Sequence, residues 1–322
     1  APLLAESRSN RPGDYYGRIT RPVAYFLLAK LALNAEVYTD NDWTDGVRPD
    51  GGTISFTIDG RQQNAWQATV TYCDRITAMG YALEPLNKTL YTNQMQYLFR
   101  SRHYNHAKAY GLSGENGSSA TKDALRVFGY DTAEVDPRFD KCYFAGVMYD
   151  LKGELIRLDD GTVLEYHPWE VAVDISDMPY EKTAGARMKK YAIDTDATKD
   201  GKLMENDIVL FRYADVLLMK SEAKVRNGEN GDAELAQVRS RVGAVARPAT
   251  LENLLDERLL EFAWEGWRRQ DLVRFGRFTR TYSDRPQLAG EESGYTTVFP
   301  IPGNVLKMNE RLRQNKGYLM SD

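Results

Sequence analysis

Apolar residues recur at helical spacing toward both ends of this chain and lose that rhythm in the middle. Over 18–38, Val23, Phe26, Leu27, Leu31 and Leu33 fill an apolar face, and Ala24, Ala29, Ala32 and Ala35 permit a neighbour to approach closely. Pro22 suits a first turn, where its missing N–H costs nothing. The pattern predicts a helix over 18–38, then a loop over 40–52 rich in Asp, Asn, Gly and Pro. Helical character returns over 66–79, with Trp66, Val70, Cys73 and Ile76 near i, i+4, i+7 spacing and Gly80 as a stop. That spacing assigns Trp66 to the core.

The stretch 81–180 has no sustained helical period. Short alternating pieces, 141–146 and 161–166, are broken by Gly and Asp, so loops, short strands and one short helix near 120–128 are expected. Long irregular segments inside a compact protein are usually functional.

Helix returns over 210–226, ending at Asn227-Gly228, and a second helix over 233–242 runs antiparallel to it. Thr250 is a good N-cap for a third, with Leu251, Leu254, Leu255, Leu259, Phe262 and Ala263 on one face and Gly266 ending or kinking it. The tail over 298–308 carries Pro300 and Pro302 and then a short helical turn. The fold class expected is mainly α: tetratricopeptide-like helix pairs at both ends of an irregular middle, although no 34-residue repeat is visible. We expect one domain over 1–322, with helical scaffold at about 15–80 and 205–322 and an irregular insertion at about 81–204.

Composition narrows the function. Lys plus Arg is 42 against Asp plus Glu 46, a net charge of −4, so there is no bulk basic charge to hold a phosphate backbone and no nucleic-acid partner is expected. No run approaches the ~20 apolar residues that span a bilayer. The chain starts at Ala1, which we read as a mature start with any export signal or lipid anchor outside it. Two cysteines, Cys73 and Cys142, are too few for a disulfide framework and are expected as buried free thiols. Tyr outnumbers Phe, 20 to 11; an apolar ring with a polar tip suits wet contact surfaces as well as cores.

Signatures of chemistry are sparse. There is no GxGxxG after a strand, no GxxxxGK[ST], no CxxC, no HExxH and no GxSxG. His103 and His106 could share a helix face, but no third ligand lies close in sequence, so no metal and no cofactor are expected. The stretch 196–207 partly fits a calcium loop and reads better as a solvated turn. Asp174 and Asp177 stand near Trp169 with nothing to fix their separation, so an acid/base pair has little support. The segment 257–274 is dense in acids, arginines and tryptophan. Glu257/Glu261 and Glu265/Arg269 are i, i+4 neighbours on a helix, and alternating charges lace it to adjacent elements while Trp264 and Trp267 pack.

That segment carries a resemblance. DERLLEFAWEGWRRQDLVRFG (256–276) resembles the C-terminal signature of the SusD/RagB family. IVLFRYADVLLMKSEAKVRNG (208–228) is similar to the preceding helix of that family, VFPIP and NERLRQNKGY (298–318) to its closing segment, GRITRPVAYFLLAKLALNAEVY (17–38) to its mid-chain helix, and DPRFDKCYF (136–144) to a further recurrent stretch. The resemblance implies a lipid-anchored protein on the outer-membrane surface of a Bacteroidetes-type bacterium. Such a protein captures oligosaccharide, or in some cases peptide, for a SusC-like TonB-dependent transporter, without catalysis. It implies the same helical scaffold with an irregular ligand-binding face. Family members are usually longer, so the N-terminal part of the family, with its lipidated Cys, is expected to be absent from this chain.

A sugar-binding surface needs aromatic faces plus amides and acids to bond hydroxyls, carried on loops of a rigid scaffold. Trp43 lies among Asp40, Asn41, Asp42 and Asp45. His103, Tyr104, Asn105, Tyr110 and Asn116 bring aromatics and amides together. Trp169 follows His167-Pro168. These seven are the expected ligand-binding residues. A helical-repeat interaction scaffold with no small ligand is the competing class, and a glycoside hydrolase the third. Burial of all the Trp and Tyr rings of the middle would favour the scaffold.

Overall fold

The computed structural model describes residues 17–84, 101–190 and 209–318. The candidate calcium loop at 196–207 lies outside them. The expected first helix is two helices, α1 (Arg21–Leu33) and α2 (Ala35–Tyr38), separated at Asn34, whose Nδ2 donates to the Lys30 carbonyl at 2.8 Å. Its buried face also differs from the one expected. Phe26, Ala29, Lys30, Ala32 and Leu33 are buried, whereas Leu27 and Leu31 are 41% and 53% exposed. The seam follows the alanines because small side chains let helices approach closely, and Lys30 is drawn inward by Asp215, 2.7 Å from its Nζ.

A hairpin unmarked in the sequence reading follows: β1 (Ser55–Ile58) and β2 (Arg61–Asn64), antiparallel, turning at Asp59-Gly60. Both turn residues have positive φ, 50° and 75°, as a two-residue hairpin turn of the right twist requires. Asn64 then caps α3 (Ala65–Ala78) reciprocally: its side chain accepts from Gln67 N at 2.8 Å, and Gln67 Oε1 accepts from Asn64 N at 3.0 Å.

The middle holds α4 (Tyr104–Ala109), α5 (Lys122–Val127) and α6 (Phe139–Cys142), with four two-residue strands. These are β3 (Tyr143–Phe144), β4 (Gly146–Val147), β5 (Glu165–Tyr166) and β6 (Arg187–Met188); β3 pairs with β6 and β4 with β5, both antiparallel. Among the described residues three short α-helices, rather than the single one expected, punctuate the region. The second scaffold block comprises α7 (Tyr213–Arg226), α8 (Asp232–Arg241), α9 (Leu251–Phe262), α10 (Arg268–Arg274) and α11 (Gly303–Met308). Thr250 caps α9 by accepting from Asn253 N at 3.2 Å.

Three apolar clusters knit these parts together. Phe26 and Leu33 of α1, Trp66, Cys73 and Ile76 of α3, and Val216 and Met219 of α7 form the first, which places Trp66 in the core. Leu217, Leu218, Leu235, Val238, Leu254 and Phe262 join α7, α8 and α9. The third joins the middle to the scaffold: Leu125, Phe128, Phe139, Cys142 and Tyr143 pack with Leu260 and Ala263. The helix-pair scaffold and irregular middle match the expected class.

Glu257 and Glu261 are helical neighbours on α9, as expected, and both are fully buried, at 1% and 0% exposure. Arg138 bonds both, Arg239 reaches Glu257, and Arg212 and Arg241 reach Glu261. Glu265 and Arg269 are not helical neighbours, because α9 stops at Phe262 and Trp264 (φ 66°) and Gly266 (φ 81°) turn the chain. Glu265 pairs with Lys190 at 2.5 Å and Arg212 at 2.8 Å, while Arg269 donates to the carbonyls of Thr296 and Thr297.

Candidate ligand-binding cleft

The irregular middle folds around an open cleft of about 760 Å³, within the roughly 300–1,000 Å³ typical of small-molecule sites. Its walls come from three short segments. Gly129 (φ 64°) turns the chain after α5 and presents Tyr130, whose ring stacks on Phe139 with centroids 4.6 Å apart. The strand region brings Phe144 to Asp150. Asp150 shapes its end by accepting from the N–H groups of Lys152 and Glu154, both at 2.8 Å, which leaves Tyr149 51% exposed at the edge. Tyr110, at the end of α4, donates its hydroxyl to the Tyr149 carbonyl at 2.9 Å and so joins the third wall to the second.

Asp131, Asp140, Asp150 and Lys189 also line the cleft. Burial, then the nearby Asp131, pushes the Tyr130 hydroxyl up, so it stays protonated and able to donate. Burial draws the Lys189 ammonium down against the opposing pull of Asp140; its Nζ stands 5.2 Å from the centre of the Phe144 ring. Four tyrosine rings, three carboxylates and one ammonium offer apolar platforms, hydrogen-bond acceptors and a donor. That set suits a hydroxyl-rich ligand with apolar faces.

Of the seven residues singled out in the sequence, this cleft takes in Tyr110. The others lie around or away from it. His103 is 5% exposed; its Nδ1 accepts from Asn105 N at 3.2 Å as the cap of α4, and its N–H donates to the Tyr166 hydroxyl at 2.9 Å. Tyr104 is 54% exposed, edge-on to the His103 ring. Asn105 Nδ2 donates to Arg157 O at 2.9 Å and Asp159 Oδ1 at 3.0 Å. Asn116, at φ 51°, donates to Lys182 O at 2.8 Å and accepts from Arg187. Trp169 packs behind the cleft, 5.9 Å from Tyr130. Trp43 lines a separate groove of about 380 Å³ with Asp40, Arg48, Phe275 and Phe278. Tyr130 and Tyr149 escaped the sequence reading; a Tyr-Asp dipeptide at each of two turns, 130–131 and 149–150, is the signal that marks them.

His103 and His106 do not form a metal pair. His106 is buried beside Tyr166, its Nδ1 3.0 Å from that hydroxyl, and burial, then Arg102, pushes its pKa down to about 2. Among the described residues no group of three or more His, Cys, Asp or Glu is placed to hold a metal ion. Asp174 and Asp177 are exposed, and Asp174 accepts from Ser176 N in its own turn. Among the described residues no helix is long and apolar enough to cross a membrane.

The architecture is that of a helical scaffold carrying an irregular face built from loops and short strands. The chain belongs to the SusD family, whose model matches residues 88–318. It is 32% identical over 139 residues to the starch-binding protein SusD of Bacteroides thetaiotaomicron, an alignment spanning 41% of this chain and 25% of that protein. The fold is that of a SusD-like protein from Bacteroides fragilis (TM-score 0.64, 17% identity, 98% of this chain and 68% of that one). It is also similar to surface glycan-binding protein A from Bacteroides fluxus (TM-score 0.63, 18% identity, 98% and 66%) and to a laminarin-binding SusD-like protein (TM-score 0.59, 21% identity, 98% and 66%).

Proposed function

We propose that this chain captures an oligosaccharide at the cell surface and delivers it to a SusC-like TonB-dependent transporter in the outer membrane, without breaking bonds. The observation that carries the reading is the cleft of Tyr110, Tyr130 and Tyr149 with Asp131, Asp140 and Asp150 between them. Sugar rings stack their C–H faces on such aromatics, and carboxylates accept from their hydroxyls. The starch-binding name of the relative supports a glycan over a peptide. Exposure of Tyr149 and Tyr104 supports a ligand-binding face over a pure interaction scaffold, which would bury its rings. The membrane attachment we assign is a lipid anchor, as the family resemblance implies.

Isothermal calorimetry against a panel of soluble polysaccharides and of peptides tests the reading. We expect heat with at least one glycan and no release of reducing sugar. Heat with peptides alone would replace the glycan by the peptide-capturing, RagB-like alternative, and reducing-sugar release would overturn the non-catalytic assignment.

A further inference from the structure

A smaller pocket of about 260 Å³ opens where α9 gives way to α10. It lies below the roughly 300–1,000 Å³ range of drug-sized sites, so it takes one small group. Tyr143 lines both this pocket and the large cleft. Its remaining walls include Phe262, Trp264 and three arginines, Arg258, Arg268 and Arg269, with no carboxylate among the lining residues.

The arginines differ in what they already hold. Arg258 is buried and donates from Nε to Asp271 at 2.7 Å and from Nη1 to Asp215 at 2.6 Å, while its Nη2 has no acceptor. Arg268 gives Nη1 to the Leu255 carbonyl at 2.8 Å, and Arg269 gives Nη2 to two carbonyls; among the described residues neither makes a salt bridge with a carboxylate. A buried donor without an acceptor is costly, and a guanidinium fork matches a planar carboxylate. Beside them Trp264 is held at φ 66°, a region bulky residues avoid, with its Nε1 bonded to the Cys142 carbonyl at 3.1 Å. Backbone held in such a region is a mark of ligand clamps.

We propose that this pocket binds the carboxylate of an acidic sugar residue, a uronate, with Arg268 and Arg269 meeting the charge and the sugar ring lying against Trp264. The inference rests on the glycan reading for the sugar and names its class: an oligosaccharide carrying uronic acid, its chain in the large cleft and one acidic residue beyond Tyr143.

The test is titration of ¹⁵N-labelled protein with sodium D-glucuronate, D-glucose and sodium acetate, followed at the Trp264 indole N–H, assigned with Trp264→Phe. Glucuronate is expected to shift that signal and to bind at least about tenfold more tightly than either other probe, because only it offers both charge and ring. Arg268→Gln and Arg269→Gln, each checked for an unchanged melting temperature, should each weaken glucuronate by about tenfold, and Arg268→Lys by less. Equal binding of glucose or acetate, no shift at Trp264, or unchanged affinity in both glutamine variants overturns the proposal. Tyr149→Ala separates the two readings. It should spare the glucuronate shift while weakening oligosaccharide in the large cleft. Calorimetric silence toward every glycan with the glucuronate shift intact would sink the capture function and leave the pocket.

Discussion

Arg138 and Glu261, 123 positions apart in sequence, meet in the interior with Nη1 and Oε2 3.0 Å apart and neither side chain exposed. Arg138 also holds Asp136 and Glu257, and Glu261 also holds Arg212 and Arg241. The pair ties the segment that leads into the candidate cleft to the last turns of α9. Removing one partner strands buried charge on the other.

Glu261→Gln should therefore destabilise the fold by about 3–5 kcal/mol, the usual cost of breaking a buried pair from one side. Urea denaturation checks it. Arg138→Met combined with Glu261→Met should lose less than the sum of the two single changes, since the pair is then removed together.

Glu222 predicts an acid limit to stability. Burial raises its pKa, but Arg274 and then Arg226 outweigh that and hold it at about 2, below its ordinary value of 4.5. A depressed carboxylate contributes stability that is fully present above the unfolded value and lost as pH falls through the folded one. Unfolding free energy should be flat above about pH 5 from this group and fall from there toward pH 2, and the fall should be shallower in Glu222→Gln. An identical profile in wild type and variant would remove Glu222 from the account.

Tyr149→Ala should reduce oligosaccharide affinity by roughly five- to tenfold, about 1 kcal/mol or more of lost stacking, with little change in melting temperature because the side chain is half exposed. Calorimetry beside differential scanning separates the two effects.

Gly51 lies against the Trp66 ring, and a Cβ there would fall within it. Its N–H donates to Glu36 Oε1 at 2.9 Å and its carbonyl accepts from Ala65 N at 3.0 Å, so the backbone has no room to yield. Gly51→Ala should cost about 1–3 kcal/mol by overpacking. Thermal melting reads this directly.

Cys73 and Cys142 are buried free thiols, and burial pushes both upward, Cys142 to about 11. Native protein should resist a thiol reagent at pH 8, and both thiols should react once urea unfolds the chain. Fast labelling of the native state would contradict the packing of α3 and α6.

Local chemistry fixed much of the scaffold from sequence alone. Pro22, the Thr250 cap, the Asn227-Gly228 stop and the apolar period around Trp66 act over a few residues, so they are legible without knowing what packs where. The signature over 256–276 marked the family for the same reason: its residue order is a one-dimensional property. What each side chain does was decided by the third dimension. Leu27 and Leu31 face outward because the alanine seam and the Lys30–Asp215 pair set the helix contact, and no periodicity encodes that partner. Glu257 and Glu261 are core residues because five arginines and lysines from distant segments converge on α9 and its end. The cleft is assembled by Tyr110, Tyr130 and Tyr149 from three turns whose proximity depends on two-residue strands too short to leave a pattern.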